Sequence, residues 1–251
     1  LIFLCIFLFF MQGCMSRRPE TDPEMDQKAL AMFFEAISAS PDITAVRGKG
    51  WIQFETEKVN ERYRIAWAAV YPDKIRLTLL LYGSPIETII FNGEKLSFLS
   101  HTGRHSLYTR KARDPDMESY IDIPVRVSEL ILILLGRLPL TGGEDIYFSP
   151  EDPYDDSSLS IIVVRDENKE RIQHISLDSE RKISCIQFRH IAGELFYEVL
   201  IQQYMSFSFG DIPVQLEVRD NKKRKLFIEI TDFEPQTHIK DKVFQLTGPE
   251  S

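Results

Sequence analysis

Residue types able to do covalent or metal chemistry are sparse in this chain, and most are badly placed for it. His101 and His105 stand four apart, but Gly103 between them marks a turn, and no acidic or third histidine ligand sits beside them at ligand spacing. Loop histidines are expected, and no metal. Carboxylates crowd Asp152 to Asp156, where a turn leaves them to solvent. There is no Gly-rich phosphate loop, nucleophile elbow or zinc-binding helix, so no catalytic residue is assigned, no cofactor is expected and the chain reads as a non-enzyme. Of the three cysteines, Cys5 lies within an apolar leader and Cys185 stands alone in a strand pattern, a small buried hydrophobe. Cys14 is the one whose setting points to chemistry, because it ends the apolar leader and precedes a polar stretch.

Leu1 to Met11 is uninterrupted apolar sequence, too short to span a bilayer and the right size for the core of a secretory signal. With neither an initiator Met nor a basic lead-in, the natural start is expected upstream. Met11-Gln12-Gly13-Cys14 resembles a bacterial lipobox, with Met11 where Leu is usual and Gln12 more polar than the pattern. Residues 1–13 then read as a lipoprotein signal peptide, and Cys14 as the mature N-terminus carrying acyl chains such as palmitate. The bland alternative is an ordinary leader with an incidental cysteine. Met15 in place of Asp after Cys14, by resemblance to sorting signals, favours the outer membrane with the domain facing the periplasm. Residues 14–27, rich in Pro, Asp and Glu, read as a flexible tether.

The elements that follow are mainly strands. From Val46 to Ser100 apolar and polar residues alternate through five segments, as a half-buried antiparallel meander requires. Tyr63, Ile65, Trp67, Ile75, Leu77 and Leu79 share one face of adjacent segments and are expected to line a concave apolar cavity. Asn92-Gly93 is a hairpin signal. Leu81 and Tyr82 carry apolar surface into the Gly83-Ser84-Pro85 turn; either another loop covers them or the tip meets a membrane interface. Strand patterns resume from Asp145 and continue at regular spacing to Phe233, and the basic run Lys222-Lys223-Arg224-Lys225 reads first as a solvated hairpin tip, with contact to anionic lipid headgroups or an acidic partner as the alternative. Two helices are expected. Leu30, Phe33, Phe34 and Ile37 form one stripe on a helix closed by Pro41, and Val125 to Leu138 follows Pro124 with Ser128 as N-cap.

With a net charge of −8, attraction to nucleic acid is disfavoured, and a hydrophobic fraction of 43 % supplies an ample core. About eleven to twelve antiparallel strands must twist, and with few helices to cover them they close or curl. The expected class is α+β: an unclosed antiparallel half-barrel of residues 28–251, with helices covering an apolar cavity.

Several of these residues carry a family resemblance. The order of lipobox, amphipathic helix, Gly48-Lys49-Gly50, Arg64-Ile65-Ala66-Trp67 and Asp73-Lys74-Ile75-Arg76-Leu77 resembles the LolA/LolB-like lipoprotein carriers and receptors, most of all the LolB-like outer-membrane receptors. Tyr82-Gly83-Ser84 falls at the family's protruding loop, and Ile123-Pro124 with Leu135-Gly136-Arg137-Leu138-Pro139 is similar to its helix segment. The resemblance implies an open barrel with a helical lid, binding of membrane lipid and acylated lipoprotein cargo, delivery by a LolA-like periplasmic carrier, insertion into the outer membrane, and a monomer. The alternative is an envelope lipoprotein of the same fold that binds another hydrophobic ligand or serves in envelope assembly. Departures are Tyr82 at the loop position, with Leu81 beside it, and the acidic stretch after residue 150.

Overall fold

The computed structural model describes residues 23–38, 40–121, 123–140, 143–148, 162–166 and 171–246. The leader, Cys14 and the acidic stretch Glu151 to Asp156 lie outside them. The first half of the chain supplies β1 (Ala45–Glu55), β2 (Asn60–Val70), β3 (Lys74–Leu81), β4 (Ser84–Asn92), β5 (Lys95–Ser100) and β6 (Tyr108–Lys111). The second half supplies β7 (Gly143–Phe148), β8 (Ile162–Asp166), β9 (Arg171–Leu177), β10 (Ile183–His190), β11 (Leu195–Phe207), β12 (Gly210–Asp220) and β13 (Lys225–Pro235). They form one sheet in the order β6-β5-β4-β3-β2-β1-β13-β12-β11-β10-β9-β8-β7, with every ladder antiparallel. Each half is a plain meander, and the β1–β13 pairing joins the two. Since β6 and β7 are the outer strands, the half-barrel is unclosed.

Thirteen strands exceed the eleven to twelve expected, and the extra one is β6. All four of its residues are exposed, so no alternation announced it. The alternation of β1 to β3 is real: Val46, Ile52, Ile65, Trp67, Ile75, Leu77 and Leu79 are buried on the inner face. Trp51, out of phase in the sequence, lies on the outer face with the guanidinium groups of Arg62 and Arg64 over its ring at 4.7 and 5.6 Å.

Helix α1 (Pro23–Ser38) opens on Pro23, whose missing N–H costs nothing in a first turn, and on Glu24 and Asp26, which suit the positive end of the helix dipole. Its first turn thus includes residues assigned above to the tether. The buried stripe is Ala29, Met32 and Phe33, with Ala36 packed beside them. That is the expected pattern displaced by one residue: Phe33 is inside, but Leu30, Phe34 and Ile37 are exposed.

The described parts of the connection between the two edge strands, residues 112–121 and 123–140, fill the concave side. They carry α2 (Glu118–Ile121), which sequence periodicity did not reveal, and α3 (Val127–Leu134), shorter than the Val125 to Leu138 expected. Nearly all of α3 is buried, as its apolar circumference requires. Ser128 is not its N-cap. Arg126 holds that position, its N–H donating to the Glu129 carboxylate at 2.7 Å, while Asp114 accepts from the Ser128 N–H and hydroxyl at 2.8 and 2.9 Å. The helix ends in a Schellman motif: Gly136, at φ 70°, donates to Ile133, and Arg137 donates to Leu132.

A second, smaller apolar cluster lies outside the sheet. The C-terminal segment with its 3₁₀ turn (Asp241–Phe244) places Ile239 and Phe244 over Ala45, Ala68 and Ile90. Lys74 ties it down through Asp241 at 2.8 Å.

Candidate functional site

Between the first half of the sheet and the α2–α3 connection lies a cavity of about 620 Å³, within the range of small-molecule and lipid sites. Ile52, Phe54, Leu77, Ile89 and Phe98 line it from the strands, and Met117, Tyr120, Ile123 and Leu130 from the connection. Phe98 and Tyr120 stack face to face at 4.2 Å, so the far wall is rigid aromatic surface. Thr56, Val59, Leu81, Thr102 and Arg104 also border it. These residues stand in or next to hairpin turns at one end of the sheet, and that end is the mouth.

Of the six residues expected to line a cavity, Tyr63, Leu77 and Leu79 lie on its wall. Ile65, Trp67 and Ile75 do not. They share the same face, and Ile65 and Trp67 stand directly across the ladder from Leu79 and Leu77, but α3 packs against β2, where the Trp67 indole N–H donates to the Leu134 carbonyl at 3.0 Å. Face membership is a sequence property; which strand a covering helix lies against is not. The lining residues from the connection were not legible in the sequence because Met117, Tyr120 and Ile123 flank or occupy a helix of a single turn, too short to show a stripe.

The mouth is polar. The Tyr63 hydroxyl donates to Glu61, and burial, reinforced by that carboxylate, holds the phenol pKa above its usual value. On the β5–β6 loop, His105 Nδ1 faces the Ser106 carbonyl at 2.7 Å and Nε2 faces the Glu87 carboxylate at 3.0 Å. Both neighbours are acceptors, so the two contacts favour the imidazolium form, in which both ring nitrogens donate. Its pKa is raised accordingly, first by the Ser106 carbonyl and then by Glu87. His101 contacts the Thr88 hydroxyl at 2.8 Å, so the two histidines pin one loop to β4. No group of three potential metal ligands occurs among the described residues. Nor is any helix among them long and apolar enough to cross a membrane.

Leu81 and Tyr82 are not covered by another loop. Leu81 is 44 % and Tyr82 100 % exposed, the latter leading a two-residue turn with Gly83 in which both φ angles are positive, 50° and 84°. Cys185 is half-buried, not fully so, and burial pushes its thiol pKa up to about 12, which leaves it chemically inert.

Neither a family model nor a curated protein matches the chain. Solved structures do. A LolA superfamily protein from Nitrosomonas europaea superposes with a TM-score of 0.61 at 11 % identity, covering 87 % of this chain and 97 % of its own. A DUF1329 family protein from Desulfovibrio piger gives 0.62 at 6 % identity over 90 % and 98 %. A putative outer membrane lipoprotein-sorting protein domain from Vibrio parahaemolyticus gives 0.56 at 9 % over 87 % and 97 %. At these identities the likeness is one of architecture: the chain shares the open half-barrel fold of these structures over 87–90 % of its length.

Proposed function

We propose that this protein is an acylated envelope lipoprotein that takes the acyl chains of other lipoproteins into its cavity and helps to place them in the outer membrane. The observation that carries the reading is the apolar cavity, open at one end, on a fold shared with a lipoprotein-sorting domain. An acyl chain brings about 0.8 kcal/mol per buried methylene, and below the polar mouth the wall of Ile, Leu, Phe and Met is apolar. In this reading Cys14 anchors the chain, the domain faces the periplasm, a LolA-like carrier delivers cargo, and Leu81 with Tyr82 meets the membrane interface. The role is binding and transfer, without catalysis.

The test is a fluorescent fatty-acid probe titrated into the mature chain. Leu79→Trp, which adds bulk to the cavity wall, should weaken the probe at least tenfold while circular dichroism and melting stay near wild type. Unchanged affinity in a folded variant would remove the cavity from the mechanism. In cells, Cys14→Ser should release the protein from membranes, and depletion should make lipoproteins accumulate in the periplasm. If depletion leaves lipoprotein sorting intact while the probe still binds, the cargo is another hydrophobic molecule.

A further inference from the structure

Hairpins of an antiparallel meander alternate between the two ends of the sheet. The β1–β2, β3–β4, β5–β6, β10–β11 and β12–β13 turns therefore share the end at which the cavity opens. In a chain of net charge −8, these five turns hold the cations Lys58, Arg104, Lys222, Lys223 and Arg224 against the carboxylates Glu57 and Glu194. At the opposite end the sign reverses. The described β2–β3, β4–β5, β9–β10 and β11–β12 turns hold Asp73, Glu94, Asp178 and Glu180 against Arg181 and Lys182.

Among the described turns, apolar exposure follows the same polarity. Val59, Tyr82, Leu107 and Ile191, one in each of four mouth-end turns, are 41 %, 100 %, 55 % and 38 % exposed. The exposed aromatics of the opposite end are partnered: Arg137 lies over the Tyr71 ring at 5.1 Å, and Phe209 stacks on Phe207 at 5.2 Å. Apolar side chains carried on four separate turns, with Leu81 beside Tyr82 and Tyr108 beside Leu107, suit a fluid interface into which each tip dips separately. A protein partner would require a continuous desolvated core instead.

We infer that the five described mouth-end turns form a docking face for anionic lipid headgroups, which seats the cavity mouth directly on the bilayer. This extends the Leu81/Tyr82 contact of the preceding section to the whole rim and adds its charge requirement; it does not depend on what the cavity holds. Lys58 and Lys223 are the informative cations, because neither forms an ion pair among the described residues, whereas Lys222 and Arg224 bind Glu118 at 2.9 and 2.7 Å.

The mature chain carrying Cys14→Ser, which lacks any acyl anchor, is floated with phosphatidylcholine vesicles with or without phosphatidylglycerol. It should bind only the anionic vesicles, and less so as salt rises. Each basic residue near such a surface contributes about fivefold in affinity, so Lys58→Glu/Lys223→Glu should lose at least tenfold while melting and fatty-acid probe binding stay unchanged. An environment-sensitive dye at Leu107→Cys should brighten on these vesicles, and one at Glu94→Cys, at the opposite end, should not. Equal flotation of the charge-reversal variant, binding indifferent to lipid charge, or brightening at both ends would each overturn the inference. Loss of probe binding with docking intact would instead count against the cavity function alone.

Discussion

A methyl group added at Gly50 would lie 2.0 Å from the Glu229 carbonyl oxygen, and one at Gly48 would lie 2.3 Å from the Trp67 indole. The first collision is with the backbone of the partner strand at a point where the β1–β13 register shifts, so it cannot be relieved by a rotamer change. The second is with a ring whose N–H is already committed to α3. Gly50→Ala and Gly48→Ala should each destabilise the fold by about 1–3 kcal/mol, with Gly50 the worse, measured as a drop in urea midpoint at constant slope. Gly48-Lys49-Gly50 was legible in the sequence only as a family pattern. Its physical cause is a pair of close approaches, one across the sheet and one to an aromatic ring in the neighbouring strand, and neither distance is encoded locally.

Among the elements, the β5–β6 loop has the most readable response to pH. His105 has a folded pKa above its ordinary 6.5, so the contribution of its contact with Glu87 is fully present below the unfolded value and is lost as pH rises through the folded one. Arg104 on the same loop and Tyr63 and Glu61 on β2 are the other ionisable groups at this corner of the mouth. Amide hydrogen exchange in Thr102 to Leu107 should accelerate from pH 6 to pH 8 beyond the intrinsic rate, and Glu87→Gln should flatten that dependence. No acceleration would mean that His101 and Thr88 hold the loop unaided. Sequence periodicity located both main helices but misplaced the packing face of α1 by one residue, because Ala29/Met32/Phe33 and Leu30/Phe34/Ile37 offer almost equal stripes. Only the sheet they meet decides between them. Ser128 misled for a similar reason: a residue with N-cap chemistry found a better partner in Asp114, fourteen positions upstream.

For the molecule as a whole, the sheet is covered on both sides by different means: α1 with residues 112–121 and 123–140 within, and the C-terminal strap outside. Phe244 is 1 % exposed in the outer cluster, so Phe244→Ala should cost about 3 kcal/mol and bare Ala45, Ala68 and Ile90 to solvent. Lower melting together with self-association is the expected result; an unchanged melt would show that the strap contributes little. The half-barrel was legible because alternation and turn residues mark nearly every strand. The split between its edges was not, since β6 carries no apolar face and the α2 segment no period.

That split has a mechanical meaning. The diameter of a closed barrel is fixed by its strand number and shear, so any enlargement tears a ladder. Here β6 and β7 are the unpaired edges of one continuous band, a split collar whose girth can grow by flexure, every rung between β6 and β7 intact, against the packing of the helices inside and the connection that ties the two edges. Capacity in such a vessel is set by compliance, and a bulkier guest is accommodated without unzipping a strand.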